Sequence, residues 1–527
     1  MKNRKNIWSA IACIVLSMFL LVTGCSGNNG NTGNTPKVTS PAQDKEEPIE
    51  ITIANVADIP KTDDNFAVKY LEEKFNVKIK TVRFESASWK EQINVMLASN
   101  EIPDIFPSPS GEGDMVQWAN QGIIGSISVE DIRQYMPKYV ADFEAVAPNA
   151  WDVGTYQSKN WGVPRVWDAG ATGFTPAYNG DWLEAIGFSE PPKTLTEFED
   201  MLTKFTFDDP DKNGKDDTHG MTGRGKDFTP SMFSPVFGAF GVAPYQFKVG
   251  ADGKLVNGAI TEETRQTLKL LNKWYKAGII DPEFITDTNG EIQQKFVSGK
   301  TGIVDTGMWH HLFADGYFGK ISIDQGRKLV VGTALTGPNG DSYVVANGAL
   351  QAPLMFGIDV EKNEKKRIKI LQMLEFMATD TEGYMTTVFG EEGVSYTMDG
   401  DVAVWTEAYS DGDKRTELGI GGFYNPFVQK VSSMMKHHLS TEKIAFRDKV
   451  TSGVKVLTDA LGPAVLESKT QYDTVVKPLQ DQYFVKAISG ELDTDKSFDD
   501  FVEQWLKTGG QAYTDEANKL YAERNAK

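Results

Sequence analysis

Short oxygen-bearing side chains fall on alternate positions of one acidic loop near the middle of the chain: Asp209, Asp211, Asn213 and Asp217. Calcium takes about six to eight oxygen ligands, and a loop with this spacing can curl around one ion. Gly214 allows a sharp turn at the sixth position, and Lys215 can offer its backbone carbonyl at the seventh. The loop therefore predicts a structural calcium site.

The loop departs from a standard EF-hand at its twelfth position, where Gly220 stands in place of the bidentate glutamate. A further ligand must then come from Thr218, from water or from elsewhere. Without a cation, the aspartates between residues 208 and 217 would repel one another at close range. The alternative interpretation is an acidic turn whose charges are held apart by solvent.

Residues 1–24 have the features of a lipoprotein signal peptide. A basic segment precedes an apolar run at residues 7–21, which is too short to span a bilayer comfortably. Residues 21–25 resemble the bacterial lipobox, which implies that Cys25 is diacylated and anchors the chain through two acyl groups. Residues 25–48 are then expected to be a flexible tether. The alternative is an ordinary signal anchor with a chance cysteine.

The formal charge of the chain is −19 at pH 7. Such an acidic protein without a basic stripe is not expected to bind nucleic acid. The two cysteines, Cys13 and Cys25, lie in the leader and at the anchor, so no disulfide is expected in the rest of the chain. With 527 residues, burial alone can stabilise two or more hydrophobic cores.

Strands and helices alternate along the first part of the chain. Strands are predicted at residues 49–56, 77–84 and 102–106, and helices at 65–75, 89–98 and 115–121. This alternation predicts βαβ units and a mainly parallel sheet. Later helices are predicted at 262–277, 361–378 and 498–505, and later strands at 329–331 and 342–346.

Six short segments occur in one order along the chain: residues 98–105, 118–124, 161–164, 177–183, 191–198 and 296–303. Trp161-Gly162-Val163-Pro164, for example, is similar to a Tyr-Gly-Val-Pro crossover, and residues 191–198 are similar to Pro-Pro-Lys-Thr-Trp-Glu-Glu-Phe. Together they resemble family 1 extracellular solute-binding proteins of ABC importers. The acidic loop and residues 390–397 narrow the resemblance to the LplA-type lipoprotein branch, whose known ligands are oligosaccharides.

The resemblance implies an α/β, two-lobed fold of the type II periplasmic-binding-protein class, with the ligand cleft between the lobes. Chain crossings are expected near residues 162–174 and 344–351. The N-terminal lobe is then expected at residues 45–165 plus 345–395, and the C-terminal lobe at residues 166–344 plus 396–527. In such a fold the cleft lies at the carboxyl ends of the strands.

Aromatic rings pack against sugar faces, and planar polar groups bind sugar hydroxyls. Position within the family favours seven candidates for ligand contact: Trp309, Trp167, Arg165, Trp161, Tyr178, Trp89 and Tyr424. Arg165 could hold a carboxylate on an acidic sugar, or pair with an aspartate of the other lobe. The alternative for each tryptophan is core packing, which the helical patterns favour for Trp182, Trp274 and Trp505.

The sequence has no recognisable catalytic motif, and nothing singles out a pair of its many carboxylates for glycoside hydrolysis. We therefore expect a monomeric, lipid-anchored receptor on the outer face of a bacterial cell membrane. It would capture an oligosaccharide and deliver it to ABC permease subunits. The rival interpretation is a lipid-anchored carbohydrate-active enzyme or glycan adhesin.

Overall fold

The computed structural model describes residues 47–85, 88–106, 112–312 and 326–526. The predicted leader, Cys25 and nearly all of the predicted tether lie outside these residues. Within the described part of the chain, no helix is both long and apolar enough to cross a membrane. Residues 48–527 form one unit.

The strands are β1 (Ile49–Ala54), β2 (Val77–Val82), β3 (Ile105–Phe106), β4 (Thr155–Tyr156), β5 (Lys159–Asn160), β6 (Val163–Val166), β7 (Ala177–Asn179), β8 (Phe247–Val249), β9 (Leu255–Asn257), β10 (Ile303–Val304), β11 (Leu329–Val331), β12 (Val344–Val345), β13 (Leu350–Phe356), β14 (Tyr396–Asp399), β15 (Val402–Trp405) and β16 (Val456–Leu457). The α-helices span Phe66–Phe75, Trp89–Ala98, Glu112–Gln121, Val129–Tyr135, Pro137–Val146, Asp168–Ala171, Gly180–Ala185, Leu195–Phe207, Ser234–Ala239, Glu262–Lys276, Asn289–Val297, Trp309–Leu312, Ile358–Lys362, Glu364–Thr379, Thr381–Val388, Gly412–Leu418, Thr441–Thr451, Glu467–Ser489, Thr494–Trp505 and Gln511–Asn525.

The first sheet has the strand order β2-β1-β3-β13-β6. β1 runs parallel to β2 and β3 because helices connect these strands, whereas β13 is antiparallel to both β3 and β6. The prediction of a mainly parallel sheet is therefore right for β1, β2 and β3 only. β13 runs the other way because the chain re-enters this sheet from the opposite end after residues 167–349 have folded elsewhere.

Two large hydrophobic cores account for most of the burial. Ile51 and Ile53, on alternate positions of β1, belong to the first core, together with Leu371 and Leu374 of the helix Glu364–Thr379. The second core contains Trp182, Trp274 and Trp505, each at most 2% exposed, as the helical patterns predict. Each core forms because helices bury their apolar stripes against neighbouring elements.

The chain passes between the two cores more than once. It leaves the first sheet after β6, and it returns between β12 and β13. Residues 420–434 then pack into the first core through Ile420, Phe423 and Phe427, although the sequence placed this segment in the C-terminal lobe. The apolar side chains of this segment bury against the first core. The assignment of this segment to a lobe stays a prediction. The other lobe boundaries stay predictions.

A second, three-stranded sheet has the order β10-β7-β11, with β7 antiparallel to both neighbours. The central position of β7 withdraws Tyr178 from solvent between Ile303 of β10 and Val330 of β11. At its carboxyl end, β10 continues into Asp305, Thr306 and Gly307. These residues begin the segment that carries the candidate site.

Candidate ligand-binding site

Three aromatic side chains meet where the chain leaves the first sheet: Trp167 after β6, Phe174 before β7 and Trp309 after β10. The ring centroids of Trp167 and Trp309 lie 4.8 Å apart, and those of Phe174 and Trp309 lie 5.9 Å apart. Both tryptophans are half-buried, whereas Phe174 is buried. The structure thus brings together the two tryptophans that the sequence favoured most, and leaves each with some accessible surface.

Gly307 allows the Trp309 ring to fold back over its own backbone. A Cβ atom at Gly307 would lie 2.0 Å from Cη2 of Trp309, which is far inside van der Waals contact. Any larger residue would therefore push the ring out of this position. The segment from Asp305 to Trp309 therefore carries the indole ring and, through Gly307, also leaves room for its observed position.

A cavity beside Trp309 is lined largely by polar side chains: Arg224, Ser231, Asn289, Gln293, Asp305 and Thr306. Nη1 of Arg224 donates to Oδ1 of Asn289 at 2.8 Å, so these two planar groups are held together. Asn289 and Gln293 share the helix Asn289–Val297, whose N-terminus carries a capping box of Thr288 and Glu291. Planar amides and a guanidinium next to an aromatic wall suit a ligand with many hydroxyl groups.

The surroundings of Asp305 determine its hydrogen bonds and shift its pKa. Its Oδ2 accepts a hydrogen bond from the backbone N–H of Phe233 at 2.6 Å, and its Oδ1 has no partner among the described residues. Burial raises the pKa of Asp305 to about 7, and the bond from Phe233 opposes this only in part. A buried oxygen of this kind favours any ligand or water that can donate a hydrogen bond to it.

Arg165 lies on β6, two residues before Trp167. Its Nε donates to the carbonyl oxygen of Ala352 at 2.9 Å, and it lines a small cavity together with Asn55 and Pro353. Burial lowers the pKa of Arg165. Residues two apart in an extended segment point to the same side, so Arg165 and Trp167 face the same region.

Three other predicted contacts lie against hydrophobic cores. Trp161 is 8% exposed and its Nε1 donates to the carbonyl of Tyr156 at 2.9 Å, and Tyr178 is fully buried. Trp89 begins the helix Trp89–Ala98 and is half-buried against the core that holds Trp161. The side chains of Trp161 and Tyr178 are buried, which is what core packing requires, and ligand contact by either residue stays a prediction.

Tyr424 is also 2% exposed and part of the first core. Its hydroxyl shares a hydrogen bond with Oγ1 of Thr81 at 2.8 Å and accepts another from Nδ2 of Asn65 at 3.2 Å. Tyr424 borders the cavity of Arg165. Its hydroxyl is hydrogen-bonded within the protein, and ligand contact by Tyr424 stays a prediction.

The acidic loop folds around Asn213. The backbone N–H of Asn213 donates to Asp209 and Asp211, and its Nδ2 donates to Oδ2 of Asp211 at 2.8 Å and to Oδ1 of Asp217 at 3.0 Å. Burial raises the pKa of Asp211, and the neighbouring Asp209 and Asp217 add to this. Three carboxylates thus accept hydrogen bonds from Asn213, two through its backbone N–H and two through its side-chain amide, with Asp211 accepting from both.

Three of the predicted calcium ligands, Thr218, Asp217 and Lys215, have further partners. Oγ1 of Thr218 donates to the carbonyl of Phe205 at 2.9 Å in a buried position, so this hydroxyl faces away from the carboxylates. Asp217 forms an ion pair with Lys300 at 2.8 Å, and the backbone N–H of Lys215 donates to Asn213. Among the described residues, no three His, Cys, Asp or Glu side chains are arranged to hold a metal ion. Calcium therefore stays a prediction.

Sequence reasoning missed most of the polar lining of the cavity beside Trp309. Asp305 and Thr306 directly follow β10, and the same rule that singled out Trp309, position after a strand that ends at the cleft, also applies to them. Arg224, Asn289 and Gln293 come from a loop and a helix, and no local pattern marks them. Only the packing of these segments brings them to the site.

Residues 66–352, more than half of the chain, match the model of the bacterial extracellular solute-binding protein family. The chain belongs to this family. This solute-binding protein is 25% identical over 522 residues to Lipoprotein LipO of Bacillus subtilis (strain 168), which covers 95% of this chain and 96% of the relative. It is 23% identical over 463 residues to the polygalacturonan/rhamnogalacturonan-binding protein YtcQ of the same organism, which covers 86% of this chain and 88% of the relative.

A solved structure shares the fold of this solute-binding protein. It is the S. pneumoniae ABC-transporter substrate binding protein FusA, an EF-hand mutant in complex with fructo-nystose. The TM-score is 0.68 at 18% identity, over 91% of this chain and 100% of that one. The predicted family and the α/β, two-lobed fold class are confirmed, and the chain is a binding protein rather than an enzyme.

Proposed function

We propose that this solute-binding protein captures an oligosaccharide between its two lobes and delivers it to the permease subunits of an ABC importer. The observation that carries the proposal is the half-buried pair Trp167 and Trp309 beside a cavity lined by planar polar groups. Sugar rings stack on aromatic faces while their hydroxyls bind such groups. The sugar ligands in the names of YtcQ and of the FusA complex support the same ligand class.

Ligand binding would favour the closed arrangement of the lobes. Trp167 and Trp309 lie in the predicted C-terminal lobe, whereas Arg165 lies on β6 of the first sheet, in the predicted N-terminal lobe. A sugar that contacts all three residues therefore touches both lobes. A ligand shifts a conformational equilibrium only through different contacts in the two states. The permease would then recognise the closed form. Attachment through lipid on Cys25 would keep the receptor at the outer face of the membrane, and the mass of the mature protein tests this.

A thermal-shift screen against plant, algal and host oligosaccharides tests the proposed function. A ligand that binds only the folded state at about 100 times its Kd adds about 2.7 kcal/mol to the free energy of unfolding. We expect at least one oligosaccharide to raise the Tm and to be recovered intact by mass spectrometry. Release of shorter products, or no stabilisation by any glycan, would contradict a receptor.

Calcium in the acidic loop is the second part of the proposal. The convergence of Asp209, Asp211 and Asp217 on Asn213 supports it, because a cation would neutralise carboxylates that otherwise repel one another. The EF-hand in the name of the FusA structure supports the same idea. Bound calcium would tie the loop to the end of the helix Leu195–Phe207, where Oγ1 of Thr218 already donates to the carbonyl of Phe205.

Chelation and one substitution test the calcium site. We expect a chelator to lower the Tm of the wild type, and Asp211→Asn to abolish the calcium-dependent part of the Tm. Without calcium, the variant should melt no lower than the wild type. The folded-state pKa of Asp211 is raised, so ionisation of this group destabilises the calcium-free fold as the pH rises through that pKa.

Asp216→Asn is the matched control, since it removes one charge from the same exposed loop but not one of the carboxylates that Asn213 joins. Its calcium-dependent Tm shift should match that of the wild type. An unchanged Tm on chelation, with no bound metal by elemental analysis, would leave the loop as an acidic turn.

A further inference from the structure

Two basic side chains near the start of the candidate site have no carboxylate partner among the residues that the structure describes. Arg165 and Lys430 are half-buried, and neither forms an ion pair with any described residue. By contrast, Arg133, Arg367 and Arg447 each pair with an acidic side chain. Withdrawing a charge from water without a counter-charge is costly, so an unpaired pair of cations needs an explanation.

Arg165 and Lys430 each use only one of their hydrogen-bond donor groups toward the described residues. Nε of Arg165 donates to Ala352, and Nζ of Lys430 donates to the carbonyl of Val428 at 3.2 Å. The two Nη groups of Arg165 form no hydrogen bond to the described residues. Burial lowers the pKa of Lys430 to about 7, and the charge of Arg165 adds to this effect.

The nearby acid Asp142 is occupied elsewhere. Its two carboxylate oxygens accept the backbone N–H groups of Ser432 at 2.8 Å and Ser433 at 3.0 Å. The hydroxyl of Tyr139 donates to the carbonyl of Pro164 and offers no charge. Within the part of the chain that the structure describes, no carboxylate therefore forms an ion pair with Arg165 or Lys430.

The position of Arg165 connects it to the stacking site. Arg165 and Trp167 lie on the same side of one extended segment, about 6.6 Å apart along the chain, a span that neighbouring units of one oligosaccharide can bridge. The free fork of a guanidinium matches a carboxylate through two parallel hydrogen bonds. Arg165 also lines a small cavity with Asn55 and Pro353, which suits a substituent rather than a whole sugar ring.

We propose that the oligosaccharide carries uronate units, and that Arg165, with Lys430 beside it, binds the carboxylate of the unit next to the one stacked on Trp167. This inference rests on the proposed function, since it assigns the ligand class at the same site. It makes Arg165 a residue that determines specificity. The acidic ligand then supplies the counter-charge that Arg165 lacks among the described residues.

Calorimetry with paired acidic and esterified ligands tests the assignment. The probes are oligogalacturonate, oligomannuronate and glucuronate-substituted xylo-oligosaccharide, each beside its methyl ester, with maltotriose and xylotriose as neutral glycans. We expect an acidic probe to bind the wild type, and Arg165→Gln to weaken that binding about 30-fold, which corresponds to about 2 kcal/mol. The wild type should bind the methyl ester about as weakly as Arg165→Gln binds the acid. Esterification and the substitution each remove the same pair of guanidinium and carboxylate.

Two further readouts separate recognition from a structural role. Arg165→Gln should melt no lower than the wild type, because it removes an unpaired charge from a half-buried position. Arg133→Gln, which breaks an ion pair with Glu144 in the same lobe, should leave the affinity for the acidic probe unchanged. Full affinity of Arg165→Gln for the acidic probe, or equal affinity of the wild type for acid and ester, would overturn the inference. Binding of neutral glycans alone would overturn it while the proposed function stands, and binding of no glycan would overturn both.

Discussion

Replacement of Lys295 by methionine is expected to lower the free energy of unfolding by about 3–5 kcal/mol. Nζ of Lys295 lies 2.8 Å from Asp281, 2.8 Å from Glu283 and 2.7 Å from Asp287, and the side chains of Asp281 and Asp287 are only 7% and 6% exposed. Removing the lysine leaves two buried carboxylates without a counter-charge. The cluster also joins the turn at residues 281–287 to the helix that carries Asn289 and Gln293.

The pH dependence of this variant gives a second check. Burial raises the pKa of Asp287, and its hydrogen bond from Lys295 opposes that rise. Without Lys295 the folded-state pKa rises further, so stability is kept at low pH and lost as the pH increases through that pKa. The difference between variant and wild type in urea unfolding should therefore be largest near pH 7 and smaller near pH 4.

Lys507→Met is the matched control for Lys295→Met. Lys507 and Glu503 form an exposed pair on one helix face, with side chains 75% and 69% exposed. Exposed pairs of this kind contribute about 0–1 kcal/mol. If both variants unfold at the same urea concentration as the wild type, the cluster around Lys295 does not stabilise the fold.

Trp274→Ala is expected to cost about 3–5 kcal/mol of stability. Trp274 is fully buried in the second core, and its ring lies 6.0 Å from that of Phe198. Its Nε1 has no hydrogen-bond partner among the described residues, so the substitution also removes a buried donor that costs about 1–3 kcal/mol. The loss of stability from the cavity exceeds the gain from removing this donor, because the packed helices cannot close the space that a whole indole leaves.

Trp405→Ala serves as the comparison for Trp274→Ala. Trp405 is half-buried and packs against Phe389 at 5.2 Å. Water can fill part of the space that it leaves, so the loss should be clearly smaller than for Trp274→Ala in the same urea titration. Equal losses would contradict the central place of Trp274 in the second core.

The sequence predicts local elements well where the apolar period is strong. The helix at 89–98 is found with these bounds, that at 262–277 ends one residue earlier, and the strands at 49–56 and 77–84 are found at Ile49–Ala54 and Val77–Val82. Such patterns depend on neighbouring residues along the chain. Trp274 and Trp505 were placed in a core for the same reason.

Long-range packing decides what the sequence could not show. Position within the family makes Tyr178 a candidate for ligand contact, but its strand lies in the middle of a sheet and its side chain is fully buried. Arg224 and Asn289 are 65 residues apart and meet only in the folded protein. The same holds for Arg165 and Lys430, because only the folded structure shows that neither forms an ion pair with another described residue.

Calorimetry on Trp309→Ala and Trp167→Ala, with the oligosaccharide that gives the largest shift in the thermal screen, tests the central claim most directly. If the two rings form the stacking wall, each substitution should weaken binding about 30-fold or more, which is about 2 kcal/mol. Each should lower the Tm less than Trp274→Ala does, because both tryptophans are half-buried. Normal affinity combined with early melting in both variants would show that they are core residues and that the ligand binds elsewhere.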